Sequence, residues 1–226
     1  MKHGWRELVL CARTIVAPSE MWSAVTVEPR PILAIACIGG LDALSLILQS
    51  FVLWPAFAGD PLVLDAPDGA QAALRAFCVA RGAAIALAPA TTAVRATALG
   101  VLLYASCGRR YRLPPVGALV ALAAYAEIIP WIESAGLTIA IAIAAPQDLD
   151  SLRAIQLHAG LDLLWEPYSA AWTPWLAAVN AFTVWWAMVV AFGLVRIAGV
   201  SRRRALCTAV ALTAARVAID VACTRF

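Results

Sequence analysis

The chain has 226 residues, of which 63% are hydrophobic and only 14% are charged, and its formal net charge is +3. A soluble protein of this length with a mean hydropathy of +0.82 would expose more apolar surface than water tolerates. The composition therefore excludes an ordinary soluble protein and predicts an all-α polytopic membrane protein.

Residues 1–30 are predicted to form a cytoplasmic or interfacial segment before the first membrane span. Apolar residues recur at helical spacing from Trp5 to Val16, with cations between them. This pattern is typical of an amphipathic helix that lies in the headgroup region, and a frayed cytoplasmic tail is the alternative. Trp5 and Trp22 are expected to be interfacial anchors. No cleaved signal peptide is expected, because charged residues interrupt the apolar stretch.

Five apolar segments in residues 31–226 are predicted to cross the bilayer and to form a single transmembrane domain. A span needs roughly 20 apolar residues, because a helix rises about 1.5 Å per residue across a hydrocarbon core of about 30 Å. The predicted spans are residues 31–57, 82–107, 116–145, 170–197 and 205–223. The fifth is the least apolar of them, since it carries Arg216 and Asp220.

Two loops are predicted on the outer side. Residues 59–69 contain prolines and aspartates typical of an irregular loop, and residues 70–81 then lead helically into the second span. Residues 146–167 carry aliphatic side chains at helical spacing, which predicts an outer interfacial helix. His158 and Asp162 stand four residues apart in this helix. No second pair of ligands accompanies them, so neither a metal nor a cofactor is expected.

The basic residues between the spans predict the orientation of the chain. Cytoplasmic loops of membrane proteins retain Lys and Arg. Eleven cations fall on one side of the predicted spans: Lys2, Arg6, Arg13, Arg30, Arg109, Arg110, Arg112, Arg196, Arg202, Arg203 and Arg204. Only four fall on the other: Arg75, Arg81, Arg153 and Arg225. The N-terminus is therefore predicted in the cytoplasm, and an odd number of spans places Phe226 outside.

Four charged residues inside the spans form the candidate site. Asp42, Arg95 and Glu127 lie about 16, 18 and 16 Å from the inner boundary of the first three spans. We therefore expect an interhelical cluster at a common depth, in which the guanidinium faces one or both carboxylates. Glu133 lies beyond Pro130 and is expected to face an outer aqueous vestibule. Either the cluster fixes helix packing, or it serves a transport pathway.

Arg216 and Asp220 are interpreted separately, because they stand four residues apart in the fifth span. This spacing predicts an ion pair within one helix, close to the outer surface.

The sequence contains no enzymatic or nucleic-acid-binding motif. There is no Gly-rich phosphate loop and no nucleophile beside a base. The only histidines, His3 and His158, lie outside the spans. The cations fall where topology alone requires them, so they do not indicate nucleic-acid binding. We therefore expect a protein that is not an enzyme.

Three stretches of the chain carry short motifs that are familiar from one membrane-protein family. Residues 17–22 are similar to a pre-membrane N-P-x-x-x-W/F segment, with Ala17 in place of the usual Asn. Residues 109–130 contain a basic loop followed by Tyr-Ala-Glu-Ile-Ile-Pro, similar to a Y-A-x-x-P stretch, and residues 180–205 are similar to a fourth span with a basic turn after it. Together these stretches resemble the bacterial branch of the YIP family (Ypt/Rab-interacting proteins), which are five-span membrane proteins.

The resemblance implies a membrane adaptor without catalytic residues, located in a bacterial inner membrane. Eukaryotic relatives are linked to Rab-type GTPases, which a bacterium lacks. The first functional hypothesis is therefore a scaffold whose basic cytoplasmic face binds anionic lipid or a protein partner. The arginines of this predicted face are Arg109, Arg110, Arg112, Arg202, Arg203 and Arg204.

The second hypothesis is a small ion- or proton-coupled transporter or channel that uses Asp42, Arg95, Glu127 and Glu133. A chain of this length without an internal repeat would favour a homo-oligomer for such a role.

Overall fold

The computed structural model describes residues 9–14, 22, 25, 29–59, 67–107, 114–145 and 173–224. Besides a helical stretch at residues 9–14, this part of the chain contains seven α-helices. They are α1 (Pro31–Ala58), α2 (Pro67–Cys107), α3 (Val116–Ala126), α4 (Ile128–Ala144), α5 (Thr173–Ala178), α6 (Ala181–Ala198) and α7 (Arg202–Thr224). The all-α prediction is confirmed for the described residues. The predicted outer helix in residues 146–167, with His158 and Asp162, lies outside them.

In the part of the chain that the structure describes, four helical segments are long and apolar enough to cross a membrane. They are Pro31–Ala58, Ala72–Cys107, Val116–Ala144 and Ala181–Ala198. Large apolar side chains on these segments have little protein around them, since Ile143 exposes 81% of its surface and Ile32 exposes 79%. Such surfaces suit hydrocarbon as the surrounding solvent. The fifth predicted span, residues 205–223, lies within α7 and stays a prediction.

Helix α2 begins before the predicted start of the second span. It runs without interruption from Pro67 to Cys107, so the predicted helical lead through residues 70–81 is confirmed. Proline is well suited to the start of a helix, because its missing N–H has no partner to lose there.

The predicted fourth span, residues 170–197, is not a single helix. Helix α5 ends at Ala178, and α6 begins at Ala181. Between them Asn180 has extended backbone angles, and its Oδ1 accepts a hydrogen bond of 2.9 Å from the backbone N–H of Thr183. Asparagine prefers this N-cap role to a place inside a helix. The span predicted from hydropathy is therefore shortened to α6.

The N-terminal helical stretch at residues 9–14 has one buried side. Leu10, Cys11 and Thr14 are buried, whereas Arg13 is exposed. The Sγ atoms of Cys11 and Cys37 are 3.7 Å apart, so this stretch lies against the first turns of α1. The buried side of this stretch faces protein, and the predicted interfacial position of the segment stays a prediction.

Trp22 differs from its predicted role as an interfacial anchor. Its side chain is fully enclosed by protein, whereas an anchor presents its ring to the headgroups. Burial of a large aromatic side chain is favourable, and this explains why the ring is enclosed. Its indole N–H has no hydrogen-bond partner within the part of the chain that the structure describes. Trp5, the other predicted anchor, lies outside the described residues.

Oxidation of the full chain is expected to join Cys11 to Cys37. The two thiols need only a small side-chain rotation to reach the S–S bond length of about 2.0 Å. Copper phenanthroline treatment in membranes, followed by digestion without reductant and mass spectrometry, should recover this peptide pair. The Cys11→Ser variant is the control and should lose the pair. Recovery of Cys11 joined chiefly to Cys78 or Cys207 would contradict this position of the N-terminal stretch.

The chain divides into two compact units. The first contains Met1–Ile38, Thr92–Pro130 and His158–Phe226. Its centre is α3, in which every residue from Ala118 to Ala126 is buried. Helix α6 packs against both α3 and α7, and α7 also contacts α5. Apolar residues and small side chains dominate this interior, as close helix packing in a membrane requires.

Two glycines allow the close packing around α3 in the first unit. A Cβ atom added at Gly100 of α2 would lie 2.8 Å from the backbone Cα of Val120. A Cβ atom added at Gly193 of α6 would overlap with the side chain of Leu122. Glycine at Gly100 lets α2 approach the backbone of α3, and glycine at Gly193 leaves room for the side chain of Leu122.

The second unit contains Gly39–Thr91 and Trp131–Leu157. Helices α1 and α2 approach closely in it, because a Cβ atom at Gly39 would lie 2.8 Å from the Cα of Pro89. The rings of Phe57 and Phe77 stack with their centroids 4.5 Å apart. Helix α4 is joined to α1 by a hydrogen bond of 3.0 Å from the Trp131 Nε1–H to the carbonyl of Leu41.

Candidate functional site

Glu127 lies in the first unit, at a break between α3 and the first turn of α4. Helix α3 ends at Ala126, and α4 begins at Ile128. The backbone N–H of Glu127 donates to the carbonyl of Ala124, three residues earlier, which is the tighter pattern of a helix end. Pro130 explains the break, because it has no N–H to donate to the carbonyl of Ala126. The carboxylate therefore emerges where the backbone is already irregular.

Two arginines from different helices face the Glu127 carboxylate. Arg95 Nη1 of α2 lies 3.7 Å from Oε2, and Arg216 Nη1 of α7 lies 3.5 Å from Oε1. The Glu127 side chain is only 7% exposed, whereas the side chains of Arg95 and Arg216 are 53% and 32% exposed. One buried carboxylate thus connects three helices, with a guanidinium at each oxygen. We call Arg95, Glu127 and Arg216 the charge cluster.

Arg216 has a second contact that fixes its position. Its guanidinium carbon lies 5.3 Å from the centroid of the Trp186 ring, within the range of a cation–π interaction. Trp186 belongs to α6 and is almost completely buried. The guanidinium therefore lies between the ring of α6 and the carboxylate between α3 and α4.

The sequence predicts that Arg216 pairs with Asp220, and that this pair lies close to the outer surface. The side chain of Asp220 lies outside the described residues, so that pair stays a prediction. The contact with Glu127 changes the expected depth of Arg216, however. Arg216 follows Arg202 by 14 residues, which is about 21 Å along a helix. This depth is close to the depths calculated for Arg95 and Glu127. The spacing between Arg202 and Arg216 is therefore the feature of the sequence that indicates Arg216 as a member of the charge cluster.

The structure brings Arg95 and Glu127 together, in line with their predicted common depth. Asp42 and Glu133 belong to the second unit, which contains residues 39–91 and 131–157. Both acids are half-buried and have interactions of their own. The inclusion of Asp42 in the predicted cluster, and the vestibule predicted for Glu133, stay predictions.

The predicted cytoplasmic face is partly described. Arg202 and Arg203 are exposed on the first turn of α7, which has no acidic residue. Arg204 instead contacts another helix of the protein, because its Nη2 donates a hydrogen bond of 2.7 Å to the carbonyl of Ser106. That carbonyl belongs to the last turn of α2, where carbonyls lack partners within the helix. Arg109, Arg110 and Arg112 lie outside the described residues.

A groove between α6 and α7 was not expected from the sequence. Its volume is about 780 Å³, and it lies beside the turn that joins the two helices. The turn is tight because Gly199 has a φ of +63°, which glycine adopts without strain. The feature of the sequence that indicates the groove is a set of apolar residues spaced four apart on α6, such as Met188 and Phe192, which are exposed. Hydropathy alone assigns such residues to the lipid.

Within the described residues, no group of three His, Cys, Asp or Glu side chains is placed to hold a metal ion. Chemically, the charge cluster is a carboxylate held between two cations, which is an arrangement that fixes helices relative to one another. Comparison of the chain with protein-family models, curated proteins and solved structures gives no match.

Proposed function

We propose that the protein is a non-enzymatic integral membrane adaptor that gathers an acidic partner, lipid or protein, at its basic cytoplasmic face. The observation that carries this proposal is the exposure of Arg202 and Arg203 at the start of α7. The positive end of a helix and several adjacent cations repel one another unless an anion is near. An anionic surface or an acidic segment relieves this repulsion.

The proposed location is the inner membrane of a bacterium, with the N-terminus in the cytoplasm and the C-terminus outside. Two contacts support this topology. Pro31 at the start of α1 lies close to Gly117 of α3, and Arg204 of α7 contacts Ser106 of α2. The distribution of cations assigns all four of these positions to the cytoplasmic side.

A fifth span formed by α7 is part of the proposal. The helix has 23 residues, or about 35 Å, which suffices for a hydrocarbon core of about 30 Å. Its Arg216 reaches the depth of Glu127, and this contact supports a helix that crosses the membrane. The resemblance to the YIP family, in which five spans and an adaptor role occur together, also supports it.

The adaptor proposal is tested with the double variant R202Q/R203Q. We expect this variant to lose most of the acidic protein or phospholipid that copurifies with the full chain in mild detergent. The matched control is R75Q/R81Q, which removes the same charge from the predicted outer side. Accessibility of an N-terminal tag confirms that orientation is unchanged. Equal losses in both variants, or a loss in neither, would contradict a role for the cytoplasmic face.

One observation favours a transport function as the second candidate. A helix broken at membrane depth beside a carboxylate is a recurring feature of transporters, and α3 and α4 meet in this way at Glu127. The carboxylate, however, already has a guanidinium at each oxygen, which leaves it poorly suited to a cation. Proton or ion flux into proteoliposomes that is lost in E127Q would favour transport, and the short chain would then favour a homo-oligomer.

A further inference from the structure

The groove between α6 and α7 combines apolar walls with two arginines at one end. Its apolar lining consists of Met188, Ala191, Phe192, Val195 and Leu206. Arg196 in the last turn of α6 and Arg202 in the first turn of α7 complete the lining. Both arginines are exposed, and the seven lining residues, all in the described part of the chain, include no carboxylate.

The polar and apolar parts of the groove are ordered along the membrane normal. Arg196 and Arg202 flank the turn at Gly199, which the distribution of cations assigns to the cytoplasmic surface. Met188 lies eight residues before Arg196, or about 12 Å deeper along α6. The groove therefore has its cations at the level of the lipid headgroups and its apolar walls at the level of the acyl chains.

This order matches the chemistry of an anionic phospholipid. A guanidinium pairs with a phosphate through two parallel hydrogen bonds, and two guanidiniums favour a lipid with net negative charge over a zwitterionic one. Basic pockets between membrane helices on the cytoplasmic side are suited to such headgroups. A free phosphate ion would gain nothing from the walls formed by Phe192 and Leu206.

We propose that the groove between α6 and α7 binds one anionic phospholipid, with its phosphate at Arg196 and Arg202 and an acyl chain along Met188 and Phe192. This inference deepens the proposed adaptor function and rests on it, because the groove lies at one end of the basic cytoplasmic face. On this proposal the basic cytoplasmic face contains one specific binding site for a lipid.

A second copy of the chain is a less suitable occupant. Copies with the same orientation in a membrane are related by an axis along its normal, so their equivalent arginines would meet at the same depth. The resulting contact would place guanidiniums opposite guanidiniums, which is unfavourable. An anionic lipid neutralises the same charges.

Two neighbouring arginines provide a matched test. Arg202 and Arg203 are both exposed on the same turn, but only Arg202 lines the groove. The full chain in mild detergent is titrated with phosphatidylglycerol and with phosphatidylcholine of the same acyl chains, and bound lipid is counted by native mass spectrometry. We expect a preference for phosphatidylglycerol, a loss of about tenfold in its affinity in R202Q, and a much smaller loss in R203Q, which removes a charge of the same face outside the groove.

The apolar half of the groove is tested separately. F192A removes a wall of the groove and should weaken binding of phosphatidylglycerol. V184A is the control, because Val184 is an exposed residue of α6 that does not line the groove. Inorganic phosphate should not displace the lipid, since it lacks an acyl chain. Thermal unfolding of each variant shows whether a loss of binding reflects a loss of folding.

Several results would overturn this inference. An equal loss of phosphatidylglycerol affinity in R202Q and R203Q would mean that the whole basic face attracts lipid. That result would reject the groove as a binding site and would leave the adaptor proposal standing. Equal binding of the two lipids, or displacement by phosphate, would reject an anionic phospholipid as the ligand. A dimer that carries no lipid and dissociates in F192A would identify a second copy as the occupant. Loss of the copurified partner in R202Q/R203Q is the separate test of the adaptor function.

Discussion

Replacing Glu127 with glutamine is expected to lower the free energy of unfolding by about 3 kcal/mol. The substitution keeps the shape of the side chain but leaves Arg95 and Arg216 facing a neutral amide at 3.5 to 3.7 Å. Each guanidinium then loses a carboxylate that offsets part of the cost of its charge among apolar helices. Equilibrium unfolding of the full chain in detergent micelles measures the difference.

The Arg216→Gln variant provides the matched comparison. It removes one cation but leaves Glu127 with Arg95, so its effect should be smaller than that of Glu127→Gln. The double variant E127Q/R216Q should be more stable than the sum of the two single effects predicts, because it removes a cation together with its anion. Strictly additive effects would mean that the ion pair between α7 and Glu127 does not contribute to stability.

Replacing Gly100 with alanine is expected to destabilise the protein by about 1 to 3 kcal/mol. The new Cβ atom would lie 2.8 Å from the Cα and 2.9 Å from the N atom of Val120. These are backbone atoms of α3, which cannot rotate away as a side chain can. Helices α2 and α3 must therefore separate in this region, and the buried contacts around α3 are weakened. The measurement is again equilibrium unfolding in micelles.

Gly82→Ala is the control for this substitution. Gly82 lies in the same helix, but a Cβ atom there meets no other atom within 4 Å. Alanine has the higher helix propensity, so this variant should be stabilised by up to about 1 kcal/mol. The two substitutions are thus expected to differ in sign. Stabilisation by both would contradict the close approach of α2 and α3 at Gly100.

The number of residues along each span predicts similar depths for Arg95 and Glu127, and the two side chains do meet. The same count places Arg216 at their level, yet its spacing from Asp220 suggested a partner within its own helix. The sequence contains both the matching depth and the spacing from Asp220, and it does not show which of the two indicates a contact of Arg216. Rotation of α7 about its axis turns Arg216 toward Glu127, and that rotation depends on packing against α6.

The helix breaks were predictable to different degrees. Pro130 indicates a weakened helix from the sequence alone, because the missing N–H is a property of the residue itself. Asn180 lies inside a long apolar stretch, so the hydropathy of the sequence does not identify it as an N-cap. Only the hydrogen bond from the Thr183 N–H shows that α6 begins there.

The apolar segments, their helical structure and the asymmetric cations follow from the sequence by itself, because hydropathy and charge are summed along the chain. Tertiary structure alone decided which side chains converge. It placed Arg216 against Glu127, enclosed Trp22 in protein and opened a groove beside Arg202. These outcomes depend on how far each helix is rotated and how closely its neighbours approach. Small residues such as Gly100 control that approach through contacts with helices distant in the sequence.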